Sequence, residues 1–236
     1  MQVQLPSEGS IYDQEDAVKA AFEEENLVEV VKESNNVLET AQVVAGNVIV
    51  LRYLVDCKHE LYMVNLNDGA IIKRIDFPTI GTVLGISGRH IDDDIYFKVH
   101  NFVSPGTIYK CDINNKENSI VTEYRQTKLD GFDPSAYVVE QQFATSRDGT
   151  KVPMFIVRGS NEENENTPKS CLLYGYGGFN IPLTPNFSTF RLSFLEQGGI
   201  YVMSNLRGGG EYGDEWHEAG TVPKGSKQNV FDDFIA

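Results

Sequence analysis

The stretch CLLYGYGGFNIPLTPNFS, residues 171–188, runs from an apolar strand into two tyrosines set among three glycines. A plain turn uses fewer glycines than that. Several together let the backbone curl close around a ligand, and a phenol hydroxyl beside them can donate a hydrogen bond to a negative oxygen. The chemistry suggested is stabilisation of an oxyanion at the end of a strand. One such donor typically contributes about 2.7–4 kcal/mol to a transition state. A second reading makes Tyr174 and Tyr176 core packing around a buried turn. The residues alone leave both readings open.

NLRGGGEYGDEWHEAG, residues 205–220, is the second candidate. Gly208, Gly209 and Gly210 follow an apolar run, which invites a phosphate-loop reading. No GxxxxGK[ST] or GxGxxG pattern fits, and Glu211, Asp214 and Glu215 would repel a phosphate. A tight active-site loop is the better reading, with Arg207 and Glu211 expected as an internal ion pair. His217 either acts in the chemistry or packs. A nucleophile is harder to find. A GxSxG elbow would place a serine on a strained strand-to-helix turn, but GISGR at 85–89 and KGSKQ at 224–228 have the wrong spacing and context. Cys171 could attack a carbonyl in place of a serine. It opens an apolar strand with no histidine near it in sequence, so a buried structural thiol is expected.

These residues need elements to hold them. From about residue 37 the texture is β: VLETAQVVAG, NVIVLRYLVD, HELYMVNL and AIIKRIDF, then TVLGISG, DIYFKVHN, GTIYKCDI and SIVTEYRQ. Turn residues separate these runs. Four strands and then four more, with Val48 and Ile95 in matching strands 47 residues apart, is the period of propeller blades. An eight-stranded sandwich is the alternative. Within the acidic N-terminal segment 1–36, residues 13–36 read as a short helix or an edge strand.

DGFDPSAY, 130–137, is the expected domain boundary, giving about two blades over 37–135 and a different unit over 136–236. There YVVEQQFATSRDGTKVPMFIVRG reads as a hairpin turning at Asp148-Gly149. NEENENTPKS is an expected exposed loop. Strand CLLYGY, helix TFRLSFLEQGG, strand IYVMSNL and helix KQNVFDDFIA then alternate, as in a parallel α/β sheet. In such sheets ligands bind at the C-terminal strand ends, and in α/β-hydrolases the loop after an early strand supplies an oxyanion donor. Two blades and a two-stranded parallel sheet would leave open edges, so the chain reads as an incomplete piece.

Composition narrows the classes. The 236 residues are 41% apolar and 23% charged, with a formal charge of −14 and a pI near 4.7. That balance opposes a nucleic-acid surface, which gathers Lys and Arg. The longest nearly apolar run, VVAGNVIVL at 43–51, is too short to span a bilayer, and MQVQLPSEGS lacks signal-peptide character. Cys57, Cys111 and Cys171 form no CxxC pair or metal-like spacing, as in a reducing, cytosolic setting. No metal or cofactor is expected.

The stretches FVSPGTIYKCD, SRDGTKVPMFIV, LLYGYGGFNIPLTPNFS, NLRGGGEYGDEWHEAG and KQNVFDDFIA together resemble the prolyl oligopeptidase (prolyl endopeptidase) family of serine peptidases. The resemblance covers the chain from about residue 25, in the family's order. Oligopeptidase B relatives share an RGGGE loop but not the YGYGGFN form, which favours the prolyl branch. The resemblance implies partial β-propeller blades followed by the N-terminal part of an α/β-hydrolase domain. It implies that Tyr176 completes an oxyanion hole and that Phe179 lines the pocket for the substrate's proline ring. It also implies hydrolysis of short peptides after proline by a protein that is a cytosolic monomer when complete. The family's serine, aspartate and histidine lie beyond the matched region, so this chain is expected to be inactive alone. A non-catalytic β-repeat interaction module, or one piece of a split hydrolase, is the alternative.

Overall fold

The computed structural model describes residues 28–115, 120–160 and 168–236. Most of the acidic segment 1–36 and residues 161–167 of the expected exposed loop lie outside the described residues. Within 28–36 there is neither a helix nor a continuous strand, only an isolated bridge at Val28.

Eight strands form two antiparallel meanders. The first holds β1 (Val37–Val44), β2 (Val48–Val55), β3 (Lys58–Asn65) and β4 (Ile71–Ile75) in sequential order. The second holds β5 (Thr82–Ser87), β6 (Asp94–His100), β7 (Thr107–Asp112) and β8 (Val121–Gln126) in the same arrangement. Alternation along the strand explains why they form. On β6, Ile95, Phe97 and Val99 point inward and are buried, while the residues between them are half-buried. The inward sets of both meanders merge into one core, where Val48, Val50, Leu61 and Met63 join Ile95, Phe97, Val99 and Cys111. Each such side chain stabilises the fold by about 1.5–3 kcal/mol relative to exposure.

The third sheet is mixed. β9 (Tyr137–Thr145) and β10 (Lys151–Gly159) form a hairpin, and Gly149, with φ +91°, supplies the positive dihedral of its turn. β12 (Ile200–Ser204) runs antiparallel to β10, and β11 (Cys171–Gly175) runs parallel to β12, giving the order β11-β12-β10-β9. Helix α1 (Thr189–Glu196) crosses between the parallel pair. It buries Leu192 and Leu195 against Phe155, Tyr201 and Met203, and ends at Gly198 with φ +79°. Two further helices, α2 (Asp214–Ala219) and α3 (Lys227–Ile235), follow β12.

The β2–β3 turn ties the first meander to this third sheet. Asp56 and Cys57 take φ +44° and +63°, the pair of positive dihedrals that a two-residue hairpin turn of this kind requires. Cys57 is fully buried beside Phe102 and Phe155, and the Tyr212 hydroxyl donates to the Asp56 carboxylate at 3.0 Å. Gln141 Nε2 on β9 donates to the Asp56 carbonyl at 2.6 Å.

The expectation of a buried thiol at Cys171, opening the apolar strand CLLYG, is corrected. β11 is the edge of its sheet, and Cys171, Leu172, Leu173 and Tyr174 are exposed. As the edge strand, β11 has hydrogen-bonded backbone on one side only, and among the described residues no element fully covers these side chains. Cys171 is therefore an exposed thiol. Cys57 and Cys111 are the buried ones.

Candidate active site

Tyr176 follows directly on the last residue of β11, where the strand's C-terminal end meets the loop after it. Its side chain is 42% exposed, and its hydroxyl has no hydrogen-bond partner among the described residues. The backbone around it is held far more tightly. Gly177 and Gly178 are both buried. Gly177 has φ +60°, and a Cβ there would sit 2.7 Å from the Arg207 carbonyl oxygen and 2.7 Å from Val230 Cγ1. Only glycine combines that dihedral with that approach. Phe179, with φ +55°, is 82% exposed, so its ring projects from the same loop into open space.

The RGGGE loop packs directly beneath. Gly208, with φ +94°, lies so close that a Cβ there would be 2.7 Å from the Gly177 carbonyl oxygen. The Asn180 amide donates to the Gly208 carbonyl at 3.1 Å. His217 Nδ1 stands 3.1 Å from the same amide and 2.8 Å from the same carbonyl. With Nδ1 unprotonated the ring accepts from the Asn180 amide and ties one glycine loop to the other; with Nδ1 protonated it donates to Gly208 within its own segment.

The expected Arg207–Glu211 ion pair does not form. Arg207 instead turns to Asp233 on α3: Nη2 reaches Oδ1 at 2.6 Å, and Nε lies 2.9 Å from Oδ2. Its Nη1 meets Asp148 at 2.5 Å. These hydrogen bonds hold the Asp148 carboxyl well below the usual carboxylate range and raise the guanidinium further still. Glu211 lies 1% exposed with no cation. Its Oε1 accepts from the Leu183 amide at 3.0 Å and from Asn205 Nδ2 at 3.2 Å, while Oε2 has no partner. Burial raises its pKa. The physical reason is local geometry. A spacing of four brings side chains together on a helix, whereas the intervening glycines here form a turn.

Sequence reasoning missed Asp233, Asp148, Asn205 and Lys227. Lys227 Nζ donates to the Gly177 carbonyl at 2.7 Å, and its only sequence signal was a cation at the start of a helix. Among the described residues no three His, Cys, Asp or Glu side chains gather as metal ligands would, and no helix is long and apolar enough to cross a membrane. Chemically, the arrangement offers a rigid backbone carrying a free phenol donor beside an exposed aromatic ring.

Comparison with known proteins bears on both halves. The model of the prolyl oligopeptidase N-terminal β-propeller domain matches residues 17–124, and that of the prolyl oligopeptidase family matches residues 185–236. The chain is 43% identical over 170 residues to a prolyl endopeptidase of Elizabethkingia miricola, covering 71% of this chain and 23% of that protein. It is 38% identical over 214 residues to that of Elizabethkingia meningoseptica, covering 90% and 29%. The chain thus spans under a third of the length of these relatives. Among solved structures, prolyl oligopeptidase B from Galerina marginata, bound to a 25mer macrocyclization substrate, superposes with a TM-score of 0.78 at 33% identity. The match covers 88% of this chain and 28% of that one.

Proposed function

Because the chain belongs to the prolyl oligopeptidase family, with propeller blades followed by the start of the hydrolase domain, we propose that it forms part of a serine endopeptidase cleaving short peptides on the carboxyl side of proline. The two parts would meet within residues 130–137. Tyr176 is the oxyanion donor and Phe179 a wall of the proline pocket. The observation that carries this reading is the Tyr176 side chain itself. It stands half-exposed and unpaired at a strand's C-terminal end, on backbone that the RGGGE loop pins in place.

In the reaction, a serine oxygen, its proton passing to the histidine base, attacks the carbonyl carbon of the proline itself, and the carbonyl oxygen becomes an alkoxide. The Tyr176 hydroxyl donates to that alkoxide, favouring the tetrahedral intermediate over the planar substrate. Collapse expels the amine and leaves an acyl-enzyme that water hydrolyses. A flat aromatic wall at Phe179 suits the proline ring, whose nitrogen offers no hydrogen to donate. The serine, its histidine base and the aspartate would come from sequence outside these 236 residues, on strands extending the sheet beyond β11. The protein acts as a cytosolic monomer without cofactor, and its partners are proline-containing peptides rather than nucleic acid or membrane.

A glycyl-prolyl reporter amide tests the reading. The complete protein turns it over and loses activity to a serine-directed phosphonate, whereas the 236-residue chain alone does not turn it over. Turnover by the repurified chain alone, blocked by the phosphonate, would overturn the division of labour. Absence of turnover by the complete protein would overturn the peptidase reading itself.

A further inference from the structure

Lys227 occupies the first turn of α3, directly after the N-cap Ser226, whose side chain accepts from the Gln228 amide at 3.2 Å. That is the wrong end of a helix for a cation, because the exposed amides there already carry partial positive charge. No acidic residue stands in the same turn to offset it. Among the described residues Lys227 makes no ion pair either. Its ammonium goes instead to the Gly177 carbonyl, 50 positions earlier in sequence, at 2.7 Å.

The surroundings explain what that contact does. The Gly177 carbonyl belongs to the Gly177–Gly178 peptide, one residue beyond Tyr176, so a charge-assisted bond to it anchors the backbone immediately after the tyrosine. A Cβ built on Gly178 would lie 4.0 Å from Lys227 Nζ, and 3.8 and 4.0 Å from Tyr176 Cε1 and Cζ. The ammonium and the hydroxyl-bearing edge of the tyrosine ring therefore flank the same small residue. The rest of the inner face of α3 serves the same corner. Val230 abuts Gly177, Asp233 holds Arg207, and the Phe234 ring stands 3.0 Å from where a Gly175 Cβ would be.

We propose that Lys227 is a positioning residue for catalysis: by holding the Gly177 carbonyl it sets the direction of the Tyr176 hydroxyl toward the developing oxyanion. This rests on the reading of Tyr176 as the oxyanion donor. Lys227 acts through that hydroxyl and touches no substrate.

The test is a double-mutant cycle in the complete protein. Displacing a catalytic group by about 1 Å can slow a reaction by as much as about 100-fold, so Lys227→Met should lower kcat by roughly 10- to 100-fold with KM little changed. Lys227→Arg, which keeps the charge and donor, should recover most of the rate. A peptide aldehyde, which becomes an oxyanion when the serine adds to it, should bind more weakly to Lys227→Met by the same factor, while a proline-ended product peptide binds as before. In a Tyr176→Phe background the Lys227→Met change should cost nothing more, because the hydroxyl it positions is gone. Equal slowing in both backgrounds, or an unchanged kcat in the single variant, overturns the proposal. A wild-type protein that does not cleave after proline overturns the peptidase reading and the catalytic consequence with it. The tether is then read separately in the 236-residue chain carrying 3-fluorotyrosine. The Tyr176 fluorine resonance should move in Lys227→Met and stay in Lys227→Arg, and a resonance indifferent to both removes the tether as well.

Discussion

Gly177 and Gly178 are adjacent, both buried, and opposite in what they tolerate, which makes a methyl group added at each a sharp probe of the loop. At Gly177 the φ of +60° lies in the left-handed region, which costs an alanine about 1–2 kcal/mol. Its methyl would also stand 2.7–2.8 Å from the Arg207 carbonyl oxygen, Val230 Cγ1 and Leu206 Cβ, all of them backbone or short branches that cannot swing away. Overpacking of that kind costs typically about 1–3 kcal/mol. Gly177→Ala should therefore lose roughly 2–5 kcal/mol. At Gly178 the nearest atom is 3.8 Å away, ordinary contact distance, so Gly178→Ala should change stability by less than about 1 kcal/mol. For a chain this long, 1 kcal/mol moves Tm by roughly 2–4 °C. Thermal unfolding followed by circular dichroism should then show a drop near 10 °C for the first variant and almost none for the second. Equal drops, or a larger one at Gly178, would refute the packing of the two glycine loops described above.

Four further outcomes follow, three of them from the same corner. Asp233→Ala strips the buried Arg207 guanidinium of its main partner and should cost about 3 kcal/mol in urea unfolding. Asp148→Ala, whose carboxylate is half-exposed, should cost less than about 1 kcal/mol. Glu211 has a raised folded pKa, so the native state keeps its proton to higher pH than the unfolded chain does. Its penalty is absent below the ordinary glutamate pKa, grows as pH rises through the folded value, and then stays constant. Glu211→Gln should accordingly melt higher than wild type at neutral pH, with the gap closing toward pH 4. A gap that is constant across pH would refute the buried, unpaired carboxyl. Finally, of the three thiols only Cys171 is exposed. A disulfide reagent should label one cysteine rapidly in the native chain, Cys171→Ser should abolish that phase, and Cys57 and Cys111 should react only on unfolding.

The eight strands of the two meanders were legible because short runs rich in Val, Ile and Tyr stand between turn residues, and strands such as β6 and β7 also alternate between a core face and an outer face. The hairpin at Asp148-Gly149 was legible through its turn residues, and the α1 crossover through the alternation of strand, helix and strand. The edge position of β11 was not. An apolar run says that a strand seeks cover, but not whether cover lies within the same sheet, and so Cys171 was expected to be buried. The Arg207 pairing failed for a related reason. Its true partners stand 26 and 59 positions away, brought near only when α3 and the β9–β10 turn converge on the glycine loop. Local spacing carries no trace of such convergence. The tyrosine-glycine motif was legible as two alternatives, and in the structure Tyr176 is half-exposed rather than packed in the core.

The measurement that bears most directly on the whole account is the rate of acylation by the complete protein carrying Tyr176→Phe, followed with a glycyl-prolyl reporter under single-turnover conditions. Loss of one oxyanion donor predicts a fall of about 100- to 1,000-fold in that step, with reporter affinity unchanged and the Tm within a degree or two of wild type. An acylation rate equal to wild type in the correctly folded variant would mean that the hydroxyl at 176 meets no developing charge.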